Sequence, residues 1–135
     1  MKENIILLHG ALGSQQQMQA LAPLLSPHFA VHSLNFLGHG GDPSETHFTM
    51  KALAQQVKTF IEEKQLGRTH IFGYSMGGYV ALNLALDHPE QIQSIVTFGT
   101  KFNWSKEAAE KEVKMLNPEL IEAKVPQFAQ RLKDT

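Results

Sequence analysis

The sequence predicts an α/β fold: a parallel sheet of about four strands with helices on both faces. Three observations carry this. Short apolar or β-favouring runs recur through the first hundred residues and close on glycine-bearing loops. Stretches with helical periodicity or helix-start signals separate them, and a β-α-β-α-β-α-β order implies right-handed crossovers and a parallel sheet. After Gly99 no strand pattern returns.

Taken in order, Ile5-Ile6-Leu7-Leu8 is a continuous apolar run ending at His9-Gly10, as a strand buried on both faces should be. Ser14 followed by Gln17 reads as a capping box, opening a helix through Met18, Leu21 and Leu25 with Pro23 near its end. Ala30 to Leu34 is a second short strand. It leads into the loop Asn35-Phe36-Leu37-Gly38-His39-Gly40-Gly41-Asp42-Pro43. Thr49 caps a helix whose Met50, Leu53, Ala54, Val57, Phe60 and Ile61 share one face, with Gly67 expected to end it. Thr69 to Phe72 is a third strand, meeting Gly73 and turning into a helix that runs to about Leu86 and stops at Asp87-His88-Pro89. Ser94 to Phe98 is the fourth strand. Beyond it, Phe102-Asn103-Trp104 leads to a charged helix from Ser105 to Leu116. Asn117-Pro118 opens another, which Pro126 breaks or restarts. The expected organisation is a core over residues 1–100 and a helical segment over 101–135, with strand order 2-1-3-4.

Composition narrows the functional classes. Twelve Lys and Arg stand against thirteen Asp and Glu, so no basic stripe points to nucleic acid. With no cysteine, disulfides and thiolate metal sites are excluded. The seven histidines are scattered, and neither a His-Glu-x-x-His pattern nor a phosphate-cradling loop occurs. No metal or cofactor is expected. The first apolar run is four residues long, too short for a signal-peptide core, and no stretch is long enough to span a bilayer. A cytoplasmic protein without membrane partners is expected.

The chemistry concentrates in Gly73-Tyr74-Ser75-Met76-Gly77. By chance a Gly-x-Ser-x-Gly pattern would occur in about 4% of chains of this length at ordinary glycine and serine frequencies. Its context adds the weight. Thr69-His70-Ile71-Phe72 reads as a strand immediately before it, and Tyr79-Val80-Ala81-Leu82 continues a helix immediately after. A sharp strand-to-helix turn throws the serine out on a strained backbone, while the N–H of Met76 at the helix start can face a developing oxyanion. The bland alternative is a tight glycine turn with an idle serine. A second oxyanion donor has to come from a neighbouring strand's end. In His9-Gly10-Ala11-Leu12-Gly13 that donor is Ala11, with Leu12 in reserve; the competing reading is an ordinary glycine loop. His39, within Gly38-His39-Gly40-Gly41-Asp42, either faces the site or bonds within its loop, and the second reading is preferred.

His-Gly after a strand, then Gly-His-Gly, then Gly-Tyr-Ser-Met-Gly-Gly resembles the α/β-hydrolase superfamily in its serine esterase-like branch. The likeness is close over residues 5 to 100 and looser beyond. It implies Ser75 as nucleophile, an oxyanion hole shaped by Ala11 and Met76, and a cap region beginning near Phe102 and Trp104. Leu12, Leu37, Tyr74, Phe102 and Trp104 are then the expected apolar lining of a substrate pocket, and the substrate a carboxylic ester or thioester. Acyl transfer and carbon–carbon bond hydrolysis would use the same site.

The chain also departs from the resemblance. The family triad runs Ser, then Asp or Glu, then His. Gly99-Thr100-Lys101-Phe102-Asn103-Trp104 holds no carboxylate, and the only histidine after Ser75 is His88, in the turn that ends a helix. The fold is therefore expected to be an incomplete α/β-hydrolase, the N-terminal portion of a longer one, and nearly inactive by itself. The competing expectation is a non-catalytic binding or assembly module that keeps the elbow. The fourth strand's unpaired edge is expected to admit a homodimer.

Overall fold

The computed structural model describes residues 1–43, 48–115 and 118–134. It divides into two units, Met1–Thr100 and Lys101–Thr135.

The first unit is a four-stranded parallel sheet: β1 (Glu3–Leu8), β2 (Phe29–Ser33), β3 (Thr69–Tyr74) and β4 (Ile92–Phe98), in the order β2-β1-β3-β4. This is the order expected from the sequence. The chain steps outward from β1 to β2, then returns to the far side of β1 for β3 and β4. The direction therefore reverses between β1 and β3, where α/β sheets form a crevice at the carboxyl ends of their strands. Leu8 and Tyr74 end their strands at that crevice.

Two apolar layers flank the sheet. On one face Ile6, Leu8 and Ile71 pack against α2 (Met50–Glu63) and α3 (Met76–Asp87), through Leu53, Val57, Ile61, Val80 and Leu84. On the other, Ile5 and Leu7 pack against Met18, with Leu21, Ala22, Leu25, Phe72 and Tyr74 around them. The covering on this second face favours β1 and β2. Val96 and Phe98 of β4 point the same way as Phe72 and Tyr74, their register partners, yet are 57% and 64% exposed. A parallel strand is ordinarily covered on both faces.

Some elements differ from expectation. The single helix expected after Ser14 is two pieces, a 3₁₀ turn over Gln15–Met18 and α1 over Ala22–Leu25. Ser14 caps the first through the N–H of Gln16. The Gln17 side chain does not close the capping box; it accepts a bond from Gly10 N–H instead (3.3 Å). Pro23 has no N–H to continue the first turn and stands at the start of the next helix. Helix α2 is capped by Thr49 as expected, but it ends before Gly67. Gln65 takes the left-handed position (φ +54°), its N–H bonding Glu62 O while Leu66 N–H bonds Ile61 O. That paired closure usually employs glycine.

The second unit is helical: α4 (Lys106–Met115), α5 (Pro118–Lys124) and α6 (Pro126–Lys133). The expected helix end at Leu116 and the restart at Asn117 lie outside the described residues. Pro126 restarts a helix.

Candidate active site

At the end of β3 the chain turns directly into α3, and Ser75 is the turning residue. Its backbone stands at φ +51°, ψ −115°, a region that residues with a β-carbon rarely occupy. Strain of this kind costs on the order of 1–3 kcal/mol and persists only when the surroundings over-determine it. Here they do. Ser75 N–H donates to Phe98 O (2.8 Å). Ser75 O accepts from Gly78 N–H (3.1 Å) and from the Thr100 hydroxyl (2.8 Å). The flanking glycines permit the approach. A β-carbon on Gly77 would lie 2.5 Å from the carbonyl oxygen of Leu8, and one on Gly73 would strike the backbone of Gly78. The first turn of α3 therefore rests on the end of β1.

Met76 is the first residue of α3, so its N–H has no carbonyl one turn back to bond. The helix dipole adds positive character at the same place. The second loop is close by: a β-carbon on Gly10 would be 3.3 Å from Ser75 Cβ and 3.0 Å from the Tyr74 ring. Gly10-Ala11-Leu12-Gly13 forms a turn closed by Gly13 N–H to Gly10 O (3.1 Å), with Leu12 at φ +66°. Among the described residues, nothing accepts the N–H of Ala11 or of Leu12. Both amides are without an acceptor there, so the geometry does not choose between Ala11 and Leu12. Ser75 thus stands beside backbone amides of two loops.

What holds this loop is His9, which is fully buried. Phe36 N–H donates to its Nε2 (3.0 Å), so the proton is on Nδ1, which donates to Gly10 O (2.7 Å). One neutral imidazole thus ties the loop after β1 to the loop after β2. Burial lowers its pKa and nearby His39 lowers it further, against the raising effect of the Gly10 bond. His39 turns back into its own loop, its Nδ1 bonding Leu37 O at 2.9 Å and its ring lying 5.2 Å from that of His9. Sequence reasoning did not identify His9 as the link, because its partner Phe36 N–H lies 27 residues away.

The expected lining residues separate. Leu12 is 41% exposed, and Tyr74 stands beside Gly10 with its ring 6.2 Å from Phe98. Leu37 packs with the α2 layer and borders a surface cleft of about 390 Å³ together with Leu34, Ala52, Gln56 and Phe60. Phe102 and Trp104 belong to the second unit, where both are exposed and Trp104 Nε1–H donates to Lys101 O (2.9 Å). No side chain among the described residues hydrogen-bonds Ser75 Oγ. His88 caps the far end of α3, about 20 Å along the helix from Ser75, and faces Glu90. The segment after β4 holds no carboxylate, and no local pattern marks Thr100, whose hydroxyl fastens the elbow across 25 residues.

No helix among the described residues is long and apolar enough to cross a membrane, and no group of three or more potential metal ligands occurs among them. A family model described as alpha/beta hydrolase fold matches residues 3–131. A pimeloyl-(acyl-carrier protein) methyl ester esterase of Aeromonas hydrophila is 32% identical over 96 residues, covering 70% of this chain and 36% of the relative. A protein of Wickerhamomyces anomalus named "Probable alcohol acetyltransferase" is 33% identical over 97 residues, covering 70% of this chain and 28% of the relative. Among solved structures, E-2-(acetamidomethylene)succinate hydrolase superposes with a TM-score of 0.82 at 19% identity, over 98% of this chain and 55% of that one. The chain thus spans about a third of the curated relatives it matches and about half of the structural neighbour. A family match along almost the whole chain, on a sheet of matching order with a strained serine at its crevice, places this protein in the α/β-hydrolase family.

Proposed function

We propose that Ser75 is the nucleophile of acyl chemistry on a carboxylic ester or thioester, passing through an acyl-enzyme. The observation that carries this is the left-handed Ser75, held at the crevice between the N–H of Met76 and the Gly10–Gly13 turn. Ala11 and Met76 N–H groups receive the oxyanion, with Leu12 as the alternative first donor. Leu12 and Tyr74 meet the acyl group. The names of the relatives, an ester esterase and an alcohol acetyltransferase, describe two outcomes of one acyl-enzyme, released to water or to an alcohol. They favour chemistry over a binding module.

Serine is a weak nucleophile without a base. No acid or histidine of this chain stands in the place the family order requires. The 135 residues alone are therefore expected to turn over slowly, keeping only the roughly 10³–10⁴-fold advantage over water that an oxyanion hole and binding provide. The test is fluorophosphonate labelling of a form that supplies the acid and the histidine. The expected result is an adduct on Ser75, lost in Ser75→Ala; an inert Ser75 in that form rejects the reading.

The outer edge of β4, with Val96 and Phe98 exposed beside it, supports a homodimer formed by edge pairing. Light scattering at micromolar concentration should give twice the chain mass, and a monomeric mass rejects the dimer.

A further inference from the structure

At the opposite end of the sheet, a second serine has the partners that Ser75 lacks. His70 stands near the start of β3, with Glu3 on β1 and Ser94, its register partner, on β4. His70 Nδ1 is 2.6 Å from Ser94 Oγ, and Nε2 is 3.1 Å from Glu3 Oε2. One tautomer satisfies both contacts: Nε2–H donates to the carboxylate and Nδ1 accepts from the serine hydroxyl. The Phe29 ring on β2 meets the imidazole edge-on at 5.4 Å and fixes its plane. Among the described residues, Glu3 is the charged group that contacts His70; β2 contributes Phe29 and β4 contributes Ser94.

We propose that Ser94 is an activated nucleophile, a stoichiometric acceptor of acyl or phosphonyl groups served by His70 as base and Glu3 as its orienting acid. With an activated aryl ester, Ser94 Oγ attacks the carbonyl carbon and passes its proton to His70 Nδ1. The Glu3 carboxylate stabilises the resulting imidazolium. The carbon–oxygen bond to the aryl group breaks, and the aryloxide leaves with the proton that His70 returns. One serine ester and one phenol result. Among the described residues no helix N-terminus opens beside Ser94 to stabilise the oxyanion, so water releases the ester slowly and the adduct accumulates. Val96 and Phe98 project from the same strand face, about 7 and 13 Å further along. Their exposure offers an apolar ledge to an acyl chain.

The test uses the 135-residue chain, an alkyl fluorophosphonate and peptide mapping by mass spectrometry. The expected result is one principal adduct, on Ser94, formed equally in Ser75→Ala. Its rate should fall at least about 100-fold in His70→Gln, the lower range for loss of a general base, and a few-fold in Glu3→Gln. Ser26 and Ser105, exposed in the same chain, are internal references that need no variant to fold. An adduct on Ser75 without one on Ser94, a Ser94 rate no higher than those references, or a rate unchanged in His70→Gln overturns the proposal. The first outcome would at the same time support the reading of the elbow.

Discussion

The two ends of this sheet divide a serine hydrolase's requirements between them. At the carboxyl end, Ser75 has a strained backbone and amide donors from two loops, but no base among the described residues. At the amino end, Ser94 follows a bulge in β4 and has a histidine and a carboxylate in line, but no oxyanion hole among the described residues. The difference follows from strand direction. In a parallel sheet the carboxyl ends feed loops and helix N-termini, which present N–H groups. The amino ends receive the chain from preceding helices and lack that supply. Side chains can assemble a proton relay at either end, whereas backbone donors gather at one.

Breaking the elbow end should have the largest effect. Gly77→Ala places a methyl group against the Leu8 carbonyl. It should cost about 3 kcal/mol or more, read as a lower urea midpoint. Thr100→Val keeps the shape but leaves Ser75 O with one bond fewer. A loss of about 1–3 kcal/mol is expected in the same measurement. Ser94→Ala, at the other end, should change stability by no more than about 0.5 kcal/mol, because the hydroxyl is exposed.

The pH dependence sharpens the contrast. His9 is held neutral, with its folded pKa below the ordinary imidazole value near 6.5. Below that value the unfolded chain binds a proton that the folded chain refuses. Stability should therefore be full above about pH 6.5 and decline as the pH falls toward the depressed folded pKa. Urea unfolding across this window should show the slope, and His9→Gln should flatten it. Smaller still, and outside both ends, Gln65→Gly should stabilise by up to about 1 kcal/mol, because glycine adopts the left-handed helix terminus without steric cost.

Much of the architecture was legible in the residues. Apolar runs at Ile5–Leu8 and Thr69–Phe72, the Thr49 cap and the Gly-x-Ser-x-Gly turn are local signals, and the strand order followed from crossover rules. What stayed hidden depended on partners distant in sequence. The Gln17 side chain satisfies Gly10 rather than its own helix. Thr100 fastens Ser75 across 25 residues. Glu3, His70 and Ser94 meet because three strands place them there, and no motif spans a separation of 67 residues. The end of α2 was misplaced for a local reason: Gly67 is left-handed too (φ +67°), but Gln65 takes that conformation two residues earlier.

The His9 imidazole has one further consequence. Its two nitrogens bond a carbonyl at the turn after β1 and an amide in the loop after β2, so neither loop can open without unmaking a buried bond of the other. In terms of hydrogen exchange, the Phe36 amide and the Gly10 turn form one cooperative unit. A substitution in either loop should be felt across both, and exchange of the Phe36 amide, expected to be slow, would gauge order around Ser75.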